Sequence, residues 1–194
     1  MTATGSTGWS RGCSAGRRAR CWPGSSAGTT TSTTTPAPPW SIAVRDGAPL
    51  TLVAASSGRL VLVVDGAEHL LRAGDVALVR GPDPYTVASA GGLEPLALIE
   101  PGQRCRAMDG SDLFLALRHG VRTWGNAPDG RDSFLVASYD RELEVGAFAA
   151  GALPRLVHLP AGTLDSGLVD LLAREIGTEL PGQSALLDRL VDAL

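Results

Sequence analysis

The chain has 194 residues, of which 44% are apolar, enough for one domain with a core of its own. Charged residues make up 19%, and the formal net charge is -3. Residues 1–39 carry Arg11, Arg17, Arg18 and Arg20 and no acid, so the remainder is the more acidic part and a poor candidate for gripping DNA phosphates by itself.

Cys13, Cys21 and Cys105 are an odd number without a CxxC pair. They argue against a disulfide framework or zinc site and for a reducing cytoplasm. No apolar run reaches the roughly 18 residues that span a bilayer. The N-terminus lacks the apolar middle of a signal peptide. A cytoplasmic protein without membrane contact is the expectation.

In chain order, residues 1–39 read as a disordered low-complexity leader. "GTTTSTTTPAPP" offers too little apolar surface to offset its ordering entropy. Trp9 and Trp22 among the arginines leave nucleic-acid or membrane contact open as another reading, and a misassigned start as a third. From Trp40 the texture changes. "WSIAVRD", "LTLVAAS", "RLVLVVDG", "EHLLRAG", "DVALVRG" and "YTVASA" are short β-rich runs, most of them separated by Gly, Pro, Asp or Ser. That rhythm predicts antiparallel strands closing into a sandwich or barrel.

Asp65-Gly66 is a hairpin signal, and Gly74 suits a turn of positive φ. Pro82 and Pro84 stiffen the approach to Tyr85. "LEPLALIEPG" and "DLFLALRHG" predict two more strands, "TWGNAPDGRD" a loop, and "SFLVASYDRE" a strand then a turn. "GAFAAGALPRLVHLPA" is open between helix and strand.

Asp165 predicts the cap of a helix carrying Leu168, Leu171, Leu172 and Ile176 at helical spacing, ended by Gly177. After Pro181-Gly182 a second helix carries Leu186, Leu187, Leu190, Val191 and Leu194. The fold class expected is mainly β: a jelly-roll type barrel over 40–160, then a helical hairpin over 161–194.

The run from about Trp40 to Leu194 resembles the cupin-like N-terminal ligand-binding domain of AraC-type transcription regulators. "GRLVLVVDGAEHLLRAGDVALVRGPDPYTV" is similar to the family's core hairpins. "FLVASYDRE", "LPRLVHLPA", "LVDLLAREIGTELPG" and "LLDRLVDAL" resemble its C-terminal part in order and spacing. The resemblance implies an effector sensor with a dimerising helical segment. No helix-turn-helix follows Leu194, so the expectation is a unit truncated before any DNA-binding domain, with no nucleic-acid contact of its own.

Metal-dependent cupins gather two histidines one residue apart, a carboxylate and a further histidine. Here His69, His119 and His158 each stand alone, and Tyr85 occupies the position where the resemblance places a pocket histidine. A phenol with a pKa near 10 is a poor ligand at neutral pH. No metal, no cofactor and no catalysis are expected.

Trp40, His69 and Tyr85 are the candidate residues for a small organic effector. The bland alternatives are a core tryptophan, a solvent-facing or satisfied histidine and a backbone-bonded tyrosine. Arg59 and Arg72 on neighbouring strands either meet an anionic ligand or are solvated strand-face charges; the solvated reading is preferred. Cys105 between two arginines is expected to be an inert thiol, and "PDGRD" an ordinary turn.

Leu168, Leu171, Leu172, Leu187, Leu190 and Val191 are expected to bury against a second copy in a homodimer, with some of them serving the chain's own barrel. A metal-independent small cupin enzyme or binding protein and a non-functional gene fragment remain as alternatives.

Overall fold

The computed structural model describes residues 29–127, 129–139 and 151–193. Residues 1–28 of the expected leader, with Trp9, Trp22, Cys13 and Cys21, lie outside the described residues, as does most of "GAFAAGA".

The described strands are β1 (Thr29–Thr34), β2 (Ser41–Val44), β3 (Leu50–Ser57), β4 (Arg59–Val64), β5 (Ala67–Arg72), β6 (Val76–Arg80), β7 (Tyr85–Ala88), β8 (Ala97–Glu100), β9 (Arg104–Arg106), β10 (Arg118–Gly120), β11 (Thr123–Trp124), β12 (Ser133–Tyr139) and β13 (Leu156–Leu159). Two helices follow, α1 (Ser166–Ile176) and α2 (Gln183–Asp192).

One sheet has seven strands in the order β10-β11-β1-β12-β3-β6-β13, and the other has six in the order β5-β4-β7-β2-β8-β9. Pairing is antiparallel except between β1 and β11 and between β2 and β8. The Asp65-Gly66 hairpin forms as expected, with φ of 52° and 79° that suit its two-residue turn.

Alternation on three strands explains the layering. Val53 and Ala55 of β3, Ala77 and Val79 of β6, and Phe134 and Val136 of β12 face the six-stranded sheet. Leu52, Ala54, Val76, Leu135 and Ala137 point the other way, to the helices. These strands are buried on both faces, which is why they read as continuous apolar runs. Among the described residues the layers are thus a sheet, a second sheet and the helices α1 and α2.

The leader expected over 1–39 is corrected from Thr29 onward. "TTTSTT" is β1, in register with β12 from Thr29–Tyr139 to Thr34–Phe134. Thr is β-branched and suits a strand, and β12 pairs with it along its whole length while β11 joins at Thr33 and Thr34. Composition hid this, because the strand contributes main chain and methyl groups rather than large apolar side chains.

Gly125 and Gly130 both press against the Thr35 carbonyl, leaving no space for a Cβ. Gly125→Ala is therefore expected to cost about 1–3 kcal/mol by pushing β1 off the sheet, read as a lower urea midpoint.

"DLFLALRHG" is corrected as well. Residues 114–116 turn, and strand begins only at Arg118. Leu113, Phe114 and Leu117 pack back against the core, the Phe114 ring lying 5.0 Å from the Trp124 ring.

Cys105, expected to be an inert thiol, is disulfide-bonded.

Candidate functional site

Large apolar side chains pack between the sheets. Trp40, Phe134, Leu60, Leu62 and Leu71 are all fully buried there, and Trp40 stacks on Phe134 at 5.4 Å between ring centroids. Two clefts open at the ends of this packed interior.

The larger cleft has a volume of about 880 Å³. Five chain segments meet there: Pro38-Pro39 before β2, the β3–β4 corner at Gly58-Arg59, the β5–β6 turn at Arg72-Ala73, the loop after β7 at Ser89 to Leu93, and Arg131-Asp132 before β12. Gly58 makes the corner that carries the chain from one sheet to the other. Its φ is +68°, and a Cβ there would strike the Asp132 carboxylate.

Asp132 forms the polar floor. It is buried; its Oδ2 accepts from the Trp40 indole N–H at 3.0 Å and its Oδ1 from the Arg59 amide at 3.4 Å. The Trp40 amide donates to Ser89 Oγ at 3.1 Å, and that hydroxyl donates back to the Trp40 carbonyl at 3.2 Å. Trp40 is only 2% exposed, so it positions the floor from behind. The walls are Pro38, Pro39, Ala73, Ala90 and Leu93, and the charged rim is Arg59, Arg72 and Arg131.

The turn at Arg72–Asp75 has a second attachment. The Asp75 carboxylate accepts from the Arg72 amide at 2.9 Å, from the Ala161 amide at 2.9 Å and from His158 Nε2 at 3.2 Å. Desolvation works to raise the Asp75 pKa, but these hydrogen bonds together hold it below the usual carboxylate value. Ala161 and His158 flank the connection that leads from β13 into α1. One short turn therefore touches the cleft on one side and the root of the helices on the other.

Tyr85 lies at the other end of β7 from Ser89, beside a smaller cleft of about 440 Å³ that includes the Asp65-Gly66 turn. It is 7% exposed, and its hydroxyl meets no partner at hydrogen-bond geometry among the described residues. Burial pushes its pKa up, the Asp46 carboxylate adds to this, and Thr51 and Arg155 oppose it.

His69 is half-buried on the edge strand β5, opposite Leu62. The three residues expected to share an effector are thus not brought together; only Trp40 reaches the larger cleft, through Asp132. Asp132 and Arg131 were hidden in an unremarkable turn. Arg59 and Arg72 were legible, since pairing outward from the Asp65-Gly66 turn sets them opposite each other.

Among the described residues no group of three or more His, Cys, Asp or Glu converges as a metal site would require. No helix among them is long and apolar enough to cross a membrane.

The residues expected at a dimer interface divide. Leu172, Leu187, Leu190 and Val191 are buried against Leu52, Ala54, Leu135 and Ala137 of the chain's own sheet. The outer face of the seven-stranded sheet needs an apolar cover, and these four supply it, as the part of the stripe that serves the chain's own barrel. Leu168 and Leu171 are half-buried in the same cluster, while Leu180 and Leu186 are exposed.

A model of the cupin family matches residues 25–194. No curated protein matches. Among solved structures, apo ToxT from Vibrio cholerae strain SCE256 is 7% identical, with a TM-score of 0.47 over 87% of this chain and 54% of that one. Wild-type ToxT with bound unsaturated fatty acid is 9% identical, with a TM-score of 0.42 over 78% and 47%. A cupin 2 conserved barrel domain protein from Salinispora arenicola CNS-205 is 17% identical, with a TM-score of 0.36 over 70% and 80%. The chain spans about half the length of the ToxT chains.

Proposed function

Because the chain belongs to the cupin family, we propose that it is the effector-sensing domain of an AraC-type regulator, that it binds a small organic molecule in the larger cleft, and that it performs no catalysis. The observation that carries this reading is the turn Arg72–Asp75. It lines a ligand-sized cleft and is hydrogen-bonded, through Asp75, to Ala161 and His158 at the root of the helices. A ligand that moves Arg72 or Ala73 displaces the helical layer by a population shift between two positions of that turn. Such a shift passes to whatever the helices contact, a second copy or an attached DNA-reading part. Homodimerisation belongs to the same reading, with Leu180 and Leu186 as the apolar side chains left exposed for it.

The test is thermal unfolding of the purified chain across a panel of small metabolites. The expected result is at least one compound that raises the midpoint saturably and is recovered unchanged. Conversion of a bound compound into product would favour the enzyme alternative, and a panel without a single saturable shift would contradict sensing.

A further inference from the structure

We infer that the larger cleft selects an organic oxyanion, a carboxylate or phosphate head on a small apolar body, and that Arg59, Arg72 and Arg131 hold the head. The inference rests on the sensor reading and adds the chemical class of the ligand.

The three guanidinium-bearing residues come from three separate segments, the β3–β4 corner, the end of β5 and the turn before β12, and line one cleft. Arg59 and Arg72 are directly opposite in the β4–β5 register. Both are exposed, and like charges directly opposite are destabilising, a cost that an anion between them relieves. Among the described residues the ion pairs engage Arg104, Arg106, Arg155, Arg189 and His158, and none engages these three.

The one carboxylate lining the cleft offsets only one of the three charges. Asp132 is buried, and both its oxygens are taken, by the Trp40 indole and the Arg59 amide. An otherwise acidic chain therefore sets three guanidinium groups against a single carboxylate around a volume of about 880 Å³. Pro38, Pro39 and Leu93 provide the apolar wall beside them. Guanidinium groups pair bidentately with planar oxyanions, so the arrangement discriminates by charge and by head geometry.

The test uses the full chain and isothermal titration at low salt with hexanoate, hexyl phosphate and hexanol, which share one apolar tail. The expected result is saturable binding of at least one anion and an affinity for hexanol at least about tenfold weaker. Arg131→Gln and the double variant Arg59→Gln/Arg72→Gln each weaken the anion about tenfold or more. The double variant's unfolding midpoint stays level or rises in the absence of ligand, because a like-charge pair has been removed. A purely structural role for these arginines would lower that midpoint instead.

Which anion binds more tightly tells a carboxylate source from a phosphate source. Hexanol binding as tightly as the anions, with the arginine variants indifferent, overturns the inference while leaving a ligand cleft in place. Anion affinity unchanged in all variants, or no saturable heat from any probe, overturns it too; the sensor reading is then judged separately by the metabolite panel.

Discussion

Leu172→Ala is expected to lower the stability of the chain by about 3 kcal/mol, within the range of large-to-small core substitutions. Leu172 is 0% exposed and sits with Ile176, Leu187 and Val191 in the cluster that joins the helices to the seven-stranded sheet. Removing its branched end leaves a cavity between two layers that are both held by secondary structure, so the site cannot collapse to fill it. The check is urea unfolding followed by far-ultraviolet circular dichroism, with light scattering on the same samples. The account predicts a lower midpoint and an unchanged oligomeric state. A variant of unaltered stability that turned a dimer into a monomer would return Leu172 to an interface between copies.

Asp75→Ala is expected to cost about 2–3 kcal/mol, since it removes a carboxylate that accepts two backbone N–H bonds and one from His158. The amides of Arg72 and Ala161 lose their acceptor at the point where the β5–β6 turn meets the helical connection. The effect has a pH signature. The folded pKa of Asp75 is depressed, so the stabilisation is fully present above the ordinary carboxylate value near 4 and is lost as pH falls through the lower folded value. The gap between wild type and Asp75→Ala should therefore be wide at pH 7 and narrow as the solution is acidified toward pH 3. Unfolding free energies measured at both pH values decide this; a gap that widened on acidification would contradict it. On the proposed mechanism the same variant also uncouples ligand binding from movement of the helices.

Much of the fold was legible because it depends on local chemistry. Asp65-Gly66 dictates a two-residue turn, and pairing outward from it yields the whole β4–β5 register, including the Arg59–Arg72 pair. Asp165 caps α1 as its side chain requires, accepting from the Gly167 amide at 2.9 Å.

The helical stripes were legible as stripes but not as to their partner. The clue lay elsewhere, in "LTLVAA" and "FLVA". A strand apolar at nearly every position is buried on both faces, so something must cover its outer side. β1 was missed because a run of Thr and Ser carries no apolar periodicity. Its place is set by strands more than eighty residues away, through Thr33–Leu135 and Thr33–Thr123 pairing. The cleft was illegible for the same reason: Asp132 acquires its role from Trp40 and Gly58, and no pattern along the chain joins the three.

The most direct measurement of the central claim is a titration of the isotopically labelled chain with hexanoate, following backbone amide resonances. The account predicts saturable shifts at Gly58, Ser89, Leu93 and Asp132, continuing through Asp75 and Ala161 to the start of α1. Shifts centred on Val53, Leu62 and Trp124 in the packed interior, or confined to the Tyr85 end of the sandwich, would contradict it.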